Sequence, residues 1–112
     1  MATKQAKGDY VAKFQATKVS WRGSYNRILA LSNKTFETLD PSTFAVTNSY
    51  SYKQLVDVSL DPKDLETFNL VIRTTKDESS QWKCKYRTQL VRQYRMLFNN
   101  CADLLYTAPH YR

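Results

Sequence analysis

The sequence predicts a mainly β domain with one C-terminal α-helix: a PH-like order of seven antiparallel strands, folded as a sandwich or open barrel and capped by the helix. Three observations carry this reading. Short segments alternate apolar and polar residues with period two, among them Tyr10–Thr17, Phe68–Arg73 and Trp82–Tyr86. Breakers separate such segments at Asp40-Pro41-Ser42 and Asp61-Pro62-Lys63-Asp64, where aspartate bonds nearby backbone and proline fixes φ. After Arg87 the apolar spacing changes to three and four, the stripe of an amphipathic helix.

Taken in order, residues 1–8 are polar, carry Lys4 and Lys7, and read as a flexible start. The domain proper is expected over residues 9–106, with a tail at 107–112. Tyr10, Ala12, Phe14 and Ala16 alternate with Val11, Lys13, Gln15 and Thr17, giving the first strand. Tyr25–Ser32 has aliphatics on both parities and reads as a more buried second strand, ended by Asn33-Lys34. Phe36–Leu39 is a short third strand, and Ala45–Tyr50 and Tyr52–Leu60 are the fourth and fifth. Phe68–Arg73 is the sixth, Lys76–Ser80 reads as a polar hairpin loop, and Trp82–Tyr86 is the seventh, with Trp82 in the core. Leu90, Tyr94, Leu97, Phe98, Cys101, Leu104 and Leu105 then make the helix stripe, with Arg87, Arg92 and Arg95 mostly off it. A helix across an open corner hides both sheet edge and apolar interior. Strands in this number, followed by one helix, have the order of a pleckstrin-homology (PH) domain.

The chain has 112 residues, enough for one core and too few for two. Eight Tyr, five Phe and two Trp against two Gly and three Pro mark an ordered globular fold rather than a disordered segment. The net charge of +7 is unevenly placed. Lys4, Lys7, Lys13, Lys18, Arg22 and Arg27 face only Asp9 in the first thirty residues, whereas Glu37, Asp40, Asp57, Asp61, Asp64 and Glu66 outnumber Lys53 and Lys63 farther on. Such polarity orients a domain on an anionic surface and steers its approach. Cys84 and Cys101 have no metal-ligand spacing with His110, so no metal or other cofactor is expected, and both cysteines read as small core fillers. No apolar run is long enough for a transmembrane helix or secretory signal, which points to the cytoplasm.

Catalysis finds no support in the residues: there is no phosphate-binding glycine loop, paired-carboxylate motif or Ser/His/Asp arrangement, and the chain is expected not to be an enzyme. Binding has more. Ala16–Arg27 places Lys18, Arg22 and Arg27 with Trp21 and Tyr25 in a turn between two strands, and Gly23 allows the chain to reverse. Phosphate on a surface is the ligand class that fits. A lysine ending one strand and an arginine early in its partner can converge on one pocket, since paired strands lie about 4.8 Å apart. Arg27 would take phosphate with two parallel hydrogen bonds, Lys18 would add a point charge, and Trp21 would dip into a lipid headgroup layer. Bland alternatives stand beside each role. Trp21 could fold back as a lid on the barrel, Tyr25 could be packing, and Arg22 could be a solvated tip charge. Lys83, Lys85, Arg87, Arg92 and Arg95 form a second basic cluster that reads as a solvated face. A protein-interaction or intramolecular regulatory module is the rival function, and nucleic acid is not expected as a partner.

Four segments resemble a known family. Thr17-Lys18-Val19-Ser20-Trp21-Arg22-Gly23-Ser24-Tyr25-Asn26-Arg27 resembles the TKHSWRGKYKR motif of the N-terminal PH-like domain of the receptor-mediated endocytosis 8 family, large endosomal J-domain proteins. Thr38–Tyr50 resembles that family's T-x-x-P-x-T-x-x-V-T-N segment, Glu66–Leu70 its E-F-N-L strand, and Arg87-Thr88-Gln89-Leu90 the opening of its helix. The resemblance implies a module that binds phosphatidylinositol 3-phosphate on early endosomal membranes, with Lys18, Trp21, Tyr25 and Arg27 as the lipid-binding set. The chain departs from the motif at Ser24 and Asn26, uncharged where the family is basic, and at Val19 in place of a common histidine. The helix lacks the tryptophan common in PH domains, a place that Tyr94 or Phe98 is expected to fill. These residues contain no His-Pro-Asp tripeptide, so the resemblance implies no cochaperone activity within them.

Overall fold

The computed structural model describes residues 9–105, with side chains through Cys101. The expected flexible start, the tail and His110 lie outside the described residues, as do the side chains of Leu104 and Leu105. Nine elements follow in order: β1 (Ala12–Ser20), β2 (Gly23–Leu31), β3 (Thr35–Leu39), β4 (Val46–Ser51), a single 3₁₀ turn (Tyr52–Gln54), β5 (Leu55–Leu60), β6 (Thr67–Arg73), β7 (Asp77–Lys83) and α1 (Arg87–Leu105). The strands form one antiparallel sheet in the order β4-β3-β2-β1-β7-β6-β5. The sheet does not close, because β4 and β5 are its two edges. The 3₁₀ turn joins those edges, and α1 packs on that turn and on β5, covering the open corner.

Alternation along the strands puts one residue set on the inner face. Leu29, Leu31, Phe36, Phe68, Leu70 and Trp82 are buried there with Leu90, Val91, Tyr94 and Leu97 of the helix. Phe36 is the hub: its ring lies 5.2 Å from Tyr52, 5.5 Å from Tyr50, and 5.2 Å edge-on from Tyr94. Tyr94 is fully buried in the core, while Phe98 only borders it. The double-parity aliphatics of β2 are also explained. Ile28 and Ala30 point outward and are buried in a second small cluster with Leu39, Tyr10 and Val46. Beside that cluster, the buried Glu37 carboxylate accepts hydrogen bonds from the Tyr10 hydroxyl and the Ser49 hydroxyl.

Several boundaries differ from expectation. Asp77–Ser80 is strand rather than loop: Ile72 pairs with Glu78, Val71 with Ser79 and Leu70 with Ser80, so the β6–β7 connection is only Thr74–Lys76. Conversely, Cys84–Tyr86 has left the sheet before the helix begins. Tyr52–Gln54 is the 3₁₀ turn, closed by the Gln54 side-chain carbonyl, which accepts from the Ser51 backbone N–H at 2.9 Å.

The second basic cluster is only partly a solvated face. Arg87 donates through one terminal nitrogen to the carbonyls of Asp61, Asp64 and Thr67 at 3.1, 2.8 and 2.9 Å, tying the start of α1 to the β5–β6 loop. Arg95 reaches the Val58 carbonyl at 3.2 Å, and Lys83 pairs with Asp64 at 3.3 Å. All members of the cluster except Arg87 are exposed, Lys85 and Arg92 without such a bond or ion pair. Both cysteines are free thiols, and burial raises the Cys84 pKa.

Candidate functional site

Only Trp21 and Arg22 form the β1–β2 turn, while Lys18, Tyr25 and Arg27 lie within the strands. Gly23 completes the reversal at φ 139°, a conformation strained for any residue with a Cβ, although space around it is open. The Ser20 hydroxyl donates to the Gly23 carbonyl at 2.9 Å, which braces the turn.

The pairing register then decides which side chains meet. Lys18 stands opposite Tyr25 on β2 and opposite Trp82 on β7, and Ala16 stands opposite Arg27. Directly paired residues share a face, and so do residues two apart on one strand. Lys18, Tyr25 and Arg27 accordingly line one cavity of about 170 Å³ in the mouth of the bent sheet, with Trp82, Tyr94 and Asn48 deeper or opposite. The Lys18 ammonium sits 6.0 Å from the centre of the Trp82 ring, and the Arg27 guanidinium 5.8 Å from that of Tyr25. Among the described residues the ion pairs are Arg73–Asp77 and Lys83–Asp64, so neither Lys18 nor Arg27 is neutralised by a carboxylate there. Arg27 donates one terminal N–H to the Asn26 carbonyl at 2.8 Å, and both cations stand at a partly apolar mouth.

The remaining residues of the predicted set stand apart from this cavity. Trp21 is 88% exposed at the tip, which rules out the lid alternative. It lines a neighbouring hollow of about 400 Å³ together with Lys18, Tyr50 and Glu78. Arg22 stacks its guanidinium 5.0 Å from the Trp21 ring and lines neither hollow. Tyr25 is 41% exposed at the mouth, so it is not a core packing residue.

Several residues that shape the site were not singled out from the sequence. Asn48 and Thr38, paired across β3 and β4, belong to the T-x-x-P-x-T-x-x-V-T-N segment, and both line the cavity. Glu78, on β7 rather than in the expected loop, lines the same hollow as Trp21 and puts a carboxylate on that side of the mouth. The β3–β4 loop adjoins the Arg27 side, since Pro41 and Arg27 border a common hollow on the outer surface. Within this loop the Asp40 carboxylate accepts from the Ser42 hydroxyl at 2.7 Å and from the backbone N–H groups of Ser42 and Thr43 at 2.8 and 3.2 Å. These bonds hold its pKa below the ordinary carboxylate value, with Arg27 adding a smaller effect.

Residues 13–100 match the DNAJ protein RME-8 N-terminal domain. The chain belongs to this family. A 42-residue stretch is 55% identical to the DnaJ homolog subfamily C GRV2 of Arabidopsis thaliana; it makes up 38% of this chain but only 2% of that much longer relative. Among solved structures, the Slm1 PH domain in complex with inositol 4-phosphate superposes with a TM-score of 0.60 at 8% identity, over 80% of this chain and 94% of the other. The DH/PH fragment of PDZRHOGEF in complex with human RhoA gives a TM-score of 0.70 at 7% identity, over 82% of this chain and 29% of the other. At such identities these likenesses establish the fold. The RME-8 N-terminal domain is therefore PH-like here: seven antiparallel strands, unclosed, with a C-terminal helix. No helix among the described residues is long and apolar enough to cross a membrane.

Proposed function

We propose that this domain is a non-enzymatic, phosphoinositide-binding module that brings a larger endosomal trafficking protein to the membrane, with phosphatidylinositol 3-phosphate as its ligand. The supporting observation is the convergence of Lys18, Tyr25 and Arg27 on one cavity directly behind an exposed tryptophan. Arg27 and Lys18 hold the phosphate, Tyr25 orients it at the mouth, and Trp21 enters the interfacial layer with Arg22 above its ring. Each cation near an anionic leaflet contributes about 1 kcal/mol, so attachment is weak and reversible unless specific phosphate contacts add to it. The Slm1 domain, a relative in fold, was crystallised with an inositol phosphate, which agrees with this chemistry. Localisation on the cytoplasmic side of early endosomes follows from the same reading.

Co-sedimentation with liposomes carrying each phosphoinositide in turn tests it. The wild-type chain is expected to pellet with the 3-phosphate lipid, and the Lys18→Ala/Arg27→Ala double variant to stay in the supernatant with an unchanged melting temperature. Retained binding in the double variant would remove these residues from the site.

One observation favours a second reading, a protein-interaction or intramolecular regulatory module. A groove of about 300 Å³ between edge strand β5 and α1 is lined by Leu55, Val58, Arg95 and Phe98. Binding of a protein, or of another segment of the parent chain, that ignores lipid would support it.

A further inference from the structure

The depth of the site relative to the turn constrains how the domain can lie on a membrane. Lys18 is three residues and Arg27 five residues from the β1–β2 turn, roughly 10 and 17 Å at about 3.4 Å per residue. The headgroup layer of one leaflet is only roughly 5–8 Å deep. An upright hairpin with Trp21 at the hydrocarbon boundary therefore holds Arg27 above the headgroups. Both residues reach their depths together only if the hairpin is inclined.

The pairing pattern favours one direction of tilt. The β2–β3 ladder stops at Ile28–Leu39, so Gly23–Arg27, paired with β1 on one side, forms a free margin of β2 on its β3 side. The β3–β4 loop begins alongside Arg27 at the inner end of this margin. That loop presents Phe44, which is 51% exposed and is the single non-glycine residue at positive φ among the described residues, at 61°. A bulky side chain is rare in the left-handed region, which asparagine or glycine adopts with less strain. Neither core packing nor turn chemistry accounts for phenylalanine there. The loop holds it in place: the Phe44 N–H donates to the Asp40 carbonyl at 2.8 Å, and the Asp40 N–H to the Ala45 carbonyl at 2.9 Å.

We propose that Phe44 is a second membrane-inserting residue, so that the domain docks on an anionic lipid surface at two points, Trp21 and Phe44, with the free margin of β2 and Arg27 between them. This rests on the lipid-binding reading above and adds to it a fixed orientation. Arg22 and Arg27 face the anionic surface along the contact, and the Asp40 carboxylate is occupied by Ser42 and Thr43.

Phe44→Asn separates the roles, because asparagine suits the backbone and lacks the apolar ring. The variant is expected to melt at or above the wild-type temperature and to bind soluble inositol 1,3-bisphosphate unchanged. Its affinity for phosphatidylcholine vesicles carrying phosphatidylinositol 3-phosphate should fall roughly five- to tenfold. In a Trp21→Phe background, Phe44→Trp should shift indole emission to the blue on those vesicles beyond any change that the Trp21→Phe variant alone shows from Trp82. Vesicle binding by Phe44→Asn equal to wild type, a parallel loss of soluble headgroup binding, or no emission shift would each overturn the proposal. Failure of the wild-type chain to bind the vesicles at all would instead overturn the lipid reading, and this orientation with it.

Discussion

Lys18 and Arg27 reach one cavity because each occupies an inner-face position of its strand, and the same rule sends their neighbours elsewhere. Ser24 and Asn26 point to the outer face, bordering a hollow with Thr17, Val19 and Lys83. Their lack of charge relative to the family motif therefore thins the outer surface and leaves the cavity's two cations untouched. Arg87 illustrates the opposite outcome for a cation. Three backbone carbonyls converge on its guanidinium, so its contribution is to the fold. Arg87→Ala is expected to cost about 2 kcal/mol, read as a lower denaturation midpoint, with lipid binding unaffected at temperatures where the variant is folded. A midpoint unchanged from wild type would return Arg87 to the solvated face. At this scale the convergence of Lys18, Tyr25 and Arg27 on one cavity was legible in the sequence, because two strands joined at a glycine turn pair and bring such positions together. Arg87's role was not, since a side chain that bonds carbonyls distant in sequence leaves no local signal. Phe44 was silent for a related reason: its exposure and its φ belong to the loop's geometry, not to its neighbours in sequence.

Among the elements, β1, β2, β6 and α1 were readable because each buries a face whose period matches its geometry. β7 was misplaced because its first four residues, Asp77-Glu78-Ser79-Ser80, carry no apolar alternation. They lie where the inner face opens to solvent at the mouth, so pairing with β6 holds them extended without burial. Ser79→Pro distinguishes strand from loop. Ser79 pairs with Val71, and proline there can neither donate to a ladder nor fit a paired strand easily. The substitution is expected to lower the melting temperature by at least ~5 °C; a tolerated proline would mean that the hairpin loop extends through this residue. The 3₁₀ turn between β4 and β5 was hidden because Tyr52 is apolar and buried like a strand residue, even though its hydroxyl donates to the Ser32 carbonyl at 3.0 Å.

For the molecule as a whole, the chain's charge asymmetry resolves into a division of labour. The cations of the β1–β2 hairpin share the mouth with Glu78, whereas acids around Asp61–Glu66 cap turns and meet Arg87 and Lys83. Backbone N–H bonds lower the pKa values of Asp61 and Asp64, and bonding to Arg73 lowers that of Asp77. A carboxylate with a lowered folded-state pKa stabilises the fold above the unfolded value and loses that contribution as pH falls through the folded value. The melting temperature is therefore expected to hold down to about pH 4 and to fall steadily below it. A flat profile from neutral pH to well below that point would contradict the assignment of these turns as stabilising.

The central claim is that a phosphorylated headgroup enters between Lys18 and Arg27 in the mouth of the sheet. Titrating the isotopically labelled chain with soluble inositol 1,3-bisphosphate and following amide and indole NMR shifts tests it without a membrane. The expected result is saturable change confined to Lys18, Tyr25, Arg27, Asn48 and the Trp82 indole. Shifts clustered instead in the groove between β5 and α1, or none that saturate, would contradict it.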